Sequence, residues 1–287
     1  MSVNVKLKET NTNPIIIHAN GKSKKTMSGQ IGNEIYSSTD IIEGNTWPDM
    51  VYSFLENQKP ISLEEDLDVT IVTWKGGKYL NKETILERCL RYYDFPLLTL
   101  EWPEGKSFWE GSKYKVFNTL KAINDGTINT KYVMWFDTSD VLLLRHPKVI
   151  LESYQELFSD YGLVFNAERN NYPSYERVAT TQTMKGVTST PELIKEWKDV
   201  RDEDDLNEIS SFKYMNSGAL VGKTETLKRF LDIAANVDPK GPINDTVMCR
   251  VAQKRMLDEV KVDRECKLFG CLWGVTESEV EVTTENE

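Results

Sequence analysis

The chain has 287 residues, 39% of them hydrophobic and 28% charged, with a formal net charge of −10. This is the composition of an ordinary globular protein with room for one large domain or two small ones. The acidic balance argues against nucleic-acid binding by bulk charge and leaves room only for a local basic groove.

No apolar run approaches the length of a membrane span, and the opening MSVNVKLKET lacks a signal peptide's apolar core. Cys89, Cys249, Cys266 and Cys271 are too scattered for a zinc pattern. They read as reduced thiols, so the expectation is a cytoplasmic protein, in a host's cytoplasm if the source is viral. With only His18 and His146 in the chain, histidine-based general-base chemistry has few candidates.

Residues 1–13 are polar and read as edge-like or frayed. Ile15, Ile16 and Ile17 form a β-branched strand that runs into His18-Ala19-Asn20-Gly21 and then Lys22, Lys24 and Lys25. A strand ending in HxNG and lysines reads either as a site, with a metal ligand and a charge for phosphate, or as a surface turn. Residues 28–60 are turn-rich with one helix near Trp47 to Asn57, and Leu63 to Asp68 is an acidic linker. Val69 to Thr73 is a strand, followed by Trp74, Gly76 and Gly77 and a helix from Asn81 to Tyr92. This strand–turn–helix lacks GxGxxG, so no dinucleotide site is assigned. Leu97 to Leu100 is the next strand, and the helix that follows carries Lys113, Lys115 and Lys121.

The most informative stretch is Lys131 to Pro147, KYVMWFDTSDVLLLRHP. A continuous apolar run suits a strand covered on both faces. It ends in Asp137 and Asp140 with Thr138 and Ser139 between, so both carboxylates can face one point beyond the strand end, where α/β sheets bind ligands. Two hard oxygen ligands suit Mn²⁺ or Mg²⁺ and hence a diphosphate; the plainer alternative is a pair of acids capping a turn.

Val149 to Phe158 reads as an amphipathic helix with His146 as a turn residue before it. Leu163 to Ala167 is a strand ending at Glu168, Arg169, Asn170, Asn171 and Tyr172, a polar loop suited to an acceptor or sugar. Residues 174–210 read as a surface insertion or lid, with Asp202 to Asp205 a solvated face. Tyr214 to Gly222 is a strand interrupted by a small polar turn. Thr224 is the expected N-cap of a helix to Ala235, and Asp245 the N-cap of a helix from Thr246 to Met256. Val260 to Asp263 is a strand, Lys267 to Gly274 a short apolar piece, and Glu277 onward an acidic, disordered end. Alternating strands and helices across 69–273 predict an α/β fold with a mostly parallel, twisted sheet flanked by helices.

In series, these pieces resemble the GT-A glycosyltransferase domain of the procollagen lysyl hydroxylase family. The resemblance rests on Phe136-Asp137-Thr138-Ser139-Asp140-Val141, Phe165-Asn166-Ala167-Glu168, Met215-Asn216-Ser217-Gly218 with Gly222, Asp245, and Asp263 with Phe269. It covers roughly residues 67–275 and is specific through motif order and spacing. The family's final HxNG segment is missing after Phe269 but matches residues 14–25. The resemblance therefore implies a circular permutation, or a segment that completes a neighbouring subunit's site. The expected layout is a single domain: a permuted site segment at 14–25, a connection at 26–66, a core at 67–275 and an acidic tail at 276–287.

By resemblance, Asp137, Asp140 and His18 hold Mn²⁺ or Mg²⁺, and Asn20, Gly21 and Lys24 meet the donor diphosphate. Thr73 and Trp74 line a uridine pocket, with Lys113 near the donor. Asn216, Ser217 and Gly218 sit at the sugar, and Asp245 is the acid at the transferred sugar or acceptor hydroxyl. The implied activity is a metal-dependent hexosyl- or pentosyltransferase using a UDP-sugar, without membrane attachment and compatible with a homo-oligomer. Its acceptor would be a hydroxyl of a protein, a glycan or a hydroxymethylated base of phage DNA. For DNA, Arg250, Lys254 and Arg255 on one helix, or Lys22 to Lys25, would contact phosphate. A non-catalytic nucleotide-sugar or glycan binding module of the same fold is the alternative.

Overall fold

The structure, a computed structural model, describes residues 2–20, 67–76, 80, 83–102, 108–172, 191–206, 208–237 and 244–285. The strands are β1 (Ser2–Leu7), β2 (Ile16–His18), β3 (Val69–Lys75), β4 (Leu98–Glu101), β5 (Tyr132–Phe136), β6 (Val141–Leu143), β7 (Leu163–Glu168), β8 (Tyr214–Lys223), β9 (Val260–Val262), β10 (Phe269–Cys271) and β11 (Val280–Glu285). The helices are α1 (Ile85–Tyr92), α2 (Phe108–Asn124), α3 (Pro147–Phe158), α4 (Pro191–Asp205), α5 (Thr224–Ala235) and α6 (Asp245–Lys254). No helix of the described residues is long and apolar enough to cross a membrane.

The central sheet has six strands in the order β4-β3-β5-β8-β7-β9. Five run the same way; β8 alone is antiparallel to its neighbours β5 and β7. The mixed α/β architecture with a mostly parallel sheet is thus as the alternation of elements predicts. Val133, Met134, Trp135 and Phe136 of β5 are all buried, as a strand covered on both faces requires. Helices α2, α5 and α6 pack on one another against the sheet, and α3 also reaches β8. In α1, Ile85, Leu86, Cys89 and Leu90 make the buried stripe. Its first turn is closed by a capping box between Thr84 and Glu87.

A second, three-stranded sheet has the order β10-β2-β6. The N-terminal strand β2 lies in its middle, parallel to β10 and antiparallel to β6. Asp263 anchors the approach to β10. Its buried carboxylate accepts from the backbone N–H groups of Lys267, Leu268 and Phe269 at 3.0, 2.8 and 3.0 Å.

Several local expectations change. Both chain ends are strands: β1 pairs antiparallel with β11, from Ser2 opposite Glu285 to Leu7 opposite Val280. Alternation places Val5, Leu7, Val280 and Val282 inside, and that burial, not local propensity, orders the ends. The polar stretch before β8 contains α4, and within its acidic run Asp204 is buried, not solvated. Asp204 pairs with fully buried Arg250 at 2.6 Å and with Arg264 at 2.9 Å. Thr224 is the first residue of α5, and its N-cap Lys223 makes no side-chain cap bond. Asn244, not Asp245, caps α6, accepting from Val247 N at 3.1 Å. His146 is the N-cap of α3, as a turn residue should be. The helix expected near Trp47 to Asn57 lies outside the described residues.

Candidate metal site

The turn that carries the acids is held on every side. Asp137 follows β5, and its backbone N–H donates to Gly218 O at 2.7 Å. Buried Thr138 donates its hydroxyl to the α1 cap residue Thr84 at 2.7 Å. Asp140 precedes β6, and its carbonyl accepts from Ala19 N at 2.8 Å. That bond, with His18 opposite Val141 in the β2–β6 ladder, carries the N-terminal strand to the acids. His18 is buried, and its Nε2 stands 3.6 Å from Asp140 Oδ1. Ligand atoms of His18, Asp137 and Asp140 all lie within 4.8 Å of one another.

Gly218 makes the approach of His18 possible. A Cβ built on it would stand 2.8 Å from His18 Nε2 and closer still to Cε1. The glycine lies in a bulge of β8. Phe165 faces Leu220, but Asn166 faces Asn216, so Ser217, Gly218 and Ala219 have no partner on β7. Bulges of this kind re-aim side chains beside active sites. Here Asn216 donates to Glu168 at 2.9 Å and accepts from Gly218 N at 2.7 Å. Ser217 donates to Asp245 Oδ2 at 2.9 Å and lies 2.9 Å from the Thr246 hydroxyl. Its carbonyl accepts from Trp135 Nε1 at 3.0 Å. Asn20, just past β2, donates to the other oxygen of Glu168 at 3.1 Å and accepts from the Cys271 thiol at 3.4 Å.

The electrostatics follow from burial. The carboxyl of Asp137 is pushed up by burial, with Asp140 and Asp245 adding to the effect and Lys115 and His18 opposing it. Burial also raises Glu168, against the two amide donors. Burial works against a charged His18, but the Asp140 carboxylate and the Cys271 thiol more than offset it and raise its pKa. Buried Lys115 hydrogen-bonds Asp137 and lies 3.1 Å from Asp245 Oδ2. Burial opposes its charge, yet those two carboxylates hold it firmly protonated.

The chain matches no family model and no curated protein. Among solved structures it is similar to a glycosyltransferase involved in the glycosylation of the major capsid of PBCV-1. The identity is 12% over 74% of this chain and 96% of that one, with a TM-score of 0.38. It is also similar to mouse xyloside xylosyltransferase 1 in its apo form, at 8% identity over 68% of this chain and 85% of that one, with a TM-score of 0.37.

Of the residues singled out in the sequence, the structure brings His18, Asn20, Asp137, Asp140, Asn216, Ser217, Gly218 and Asp245 into one connected cluster. Thr73 and Trp74 lie at the same end of the sheet with their side chains turned to packing. The Thr73 hydroxyl donates to Phe136 O at 2.7 Å, and buried Trp74 packs against Trp135 in a tilted arrangement with centroids 4.2 Å apart. Gly21 and Lys24 lie outside the described residues. Lys115 reaches the acids; half-buried Lys113, two residues before it, lies about 200° round the helix. Asn166 is a further participant that the sequence reading passed over, although it lies in the quoted Phe165–Glu168 motif. The basic patch expected on α6 does not form: Arg250 is buried against Asp204, Lys254 pairs with Glu203, and Arg255 pairs with Glu196.

Proposed function

We propose that the chain is a metal-dependent glycosyltransferase of the GT-A type that moves a sugar from a UDP-sugar to an acceptor hydroxyl. The observation that carries this reading is the convergence of His18, Asp137 and Asp140 at the end of β5. Two carboxylates and an imidazole suit Mn²⁺ or Mg²⁺. The buried Nε2 of His18, which has no hydrogen-bond partner among the described residues, fits a ligand role. A divalent ion held there would offset the charge that develops on the departing diphosphate.

The remaining roles belong to the chain's own residues. Lys115 keeps a fixed positive charge between Asp137 and Asp245, which steadies both carboxylates. Asp245, oriented by Ser217, accepts a proton from the acceptor hydroxyl or aligns it. Glu168 holds Asn20 and Asn216 together, one on each carboxylate oxygen, and these two amides would meet the sugar. Gly21 and Lys24, assigned to the diphosphate by the sequence resemblance alone, belong to the same proposal. The occupied cations of α6 favour a protein or glycan hydroxyl over DNA as acceptor. Circular permutation is part of this proposal, and the seating of β2 between β10 and β6, beside the acids, supports it.

The test is UDP release from a panel of UDP-sugars, with Mn²⁺ or EDTA, by the parent chain and by Asp140→Ala and His18→Ala. Slow hydrolysis of one donor that needs Mn²⁺ and both side chains is the expected result. Metal-dependent UDP binding without turnover would make the chain a nucleotide-sugar binding module. Neither binding nor release would remove the reading.

A further inference from the structure

One buried amide faces the proposed metal centre without belonging to it. Asn166 is 0% exposed. Its Nδ2 lies 3.1 Å from His18 Nδ1, while its Oδ1 has no hydrogen-bond partner among the described residues. His18 repeats the pattern: Nδ1 is engaged, and buried Nε2 has no hydrogen-bond partner among the described residues, with Asp140 Oδ1 3.6 Å away. A neutral imidazole offers the Nε2 lone pair to a cation only when its proton sits on Nδ1. A proton on Nδ1 needs an acceptor, and of the two ends of an asparagine amide only the oxygen accepts. Half a turn of the amide about its Cβ–Cγ bond gives the orphan oxygen a donor. It also leaves the Nε2 lone pair facing the acids.

We infer that Asn166 is a positioning residue of this site: its Oδ1 accepts from Nδ1–H of His18 and fixes the tautomer in which Nε2 binds the cation. The inference rests on the metal-centre reading above and deepens it. Its place in the fold explains why the amide can hold this geometry. Asn166 begins the register shift opposite the β8 bulge, and Phe165 just before it accepts from Asp263 N at 2.9 Å. A second partner of this kind usually matters to a ligating histidine by about 10–100-fold in metal affinity.

The experiment titrates the metal-free full chain with Mn²⁺ alone, read by loss of the free-ion EPR signal. Wild type is compared with Asn166→Leu, which removes the acceptor, and Asn166→Asp, which keeps one. Binding about 10–100-fold weaker in Asn166→Leu, and retained in Asn166→Asp, is the expected result. A second measurement needs no Asn166 variant. The chain has two histidines, so ¹⁵N ring shifts of the Mg²⁺-loaded wild type, assigned with His146→Asn, read the His18 tautomer directly. A proton on Nδ1 is expected. A proton on Nε2, or Mn²⁺ binding that needs Asp140 and His18 but ignores Asn166→Leu, overturns the inference alone. Absence of Mn²⁺ binding in wild type and Asp140→Asn alike removes the metal reading, and this inference with it.

Discussion

The His18 ring lies so close to Gly218 that a Cβ added to the glycine would stand 2.8 Å from its Nε2 and closer still to its Cε1. Gly218→Ala therefore forces either the imidazole or the bulge to move. Overpacking of this kind costs about 1–3 kcal/mol, so the melting temperature should fall by several degrees. A displacement near 1 Å at a site can cost about 10²-fold in rate, so UDP release should fall by that order. Adding His18→Ala to Gly218→Ala should restore most of the stability and none of the activity. A double variant as unstable as the single one would show that the strain lies elsewhere.

Lys115 bridges Asp137 and Asp245 from within the protein, with little exposure of its own. Lys115→Met leaves the carboxylates without their internal cation. Breaking a buried ion pair on one side costs about 3–5 kcal/mol, and a marked drop in thermal stability is expected. If Asp137 holds a divalent ion, Mn²⁺ then replaces part of the missing charge. The gain in melting temperature on adding Mn²⁺ should be larger for the variant than for wild type. Equal gains would separate Asp137 from the metal.

What the sequence disclosed, and what it withheld, has a physical pattern. The acids at the end of β5 were legible because an apolar run that stops at Asp137 and resumes after Asp140 leaves the carboxylates little choice of direction. His18 was legible only through motif order, since nothing local says which strand Ile15 to His18 will join. Lys113 and Lys115 are both polar positions on one helix, and only the packing of α2 shows which of them turns inward. The pairing of β1 with β11 spans the whole chain, so each end read alone is merely polar. Asp204 looks like its neighbours Asp202, Glu203 and Asp205; its burial depends on Arg250, far away in sequence.

The chain ends carry the clearest pH signature. Arg169 donates to Glu279 at 2.7 Å and also pairs with Glu9. The hydrogen bond from Arg169 holds the Glu279 carboxyl down at about 2, against an ordinary value of 4.5. A depressed folded-state pKa contributes stability that is present above the unfolded value and is lost as pH falls through the folded one. The window here runs from 4.5 down to about 2. Because the pair is partly open to solvent, its worth is taken as about 1 kcal/mol or less. Urea unfolding should show Glu279→Gln less stable than wild type at pH 7. The gap should close as pH falls through that window and narrow in high salt. A gap that stays constant with pH would assign the effect to packing.

Asp263 links the fold to the proposed metal centre through side-chain hydrogen bonds to the backbone. Its carboxylate gathers the N–H groups of Lys267, Leu268 and Phe269 and so sets where β10 begins. β10 in turn pairs with β2, with Cys271 opposite His18 and Leu272 N donating to His18 O at 2.9 Å. Asp263→Ala removes the acceptor and leaves buried donors unmet, each at about 1–3 kcal/mol. Stability should fall, and hydrogen exchange should quicken at Phe269 to Cys271 and at Ile16 to His18 together, ahead of the central sheet. Asp263→Asn keeps one accepting oxygen and should recover part of the protection. If exchange quickened equally throughout the chain, Asp263 would be a general stability residue, and its coupling to the strand that carries His18 would be refuted.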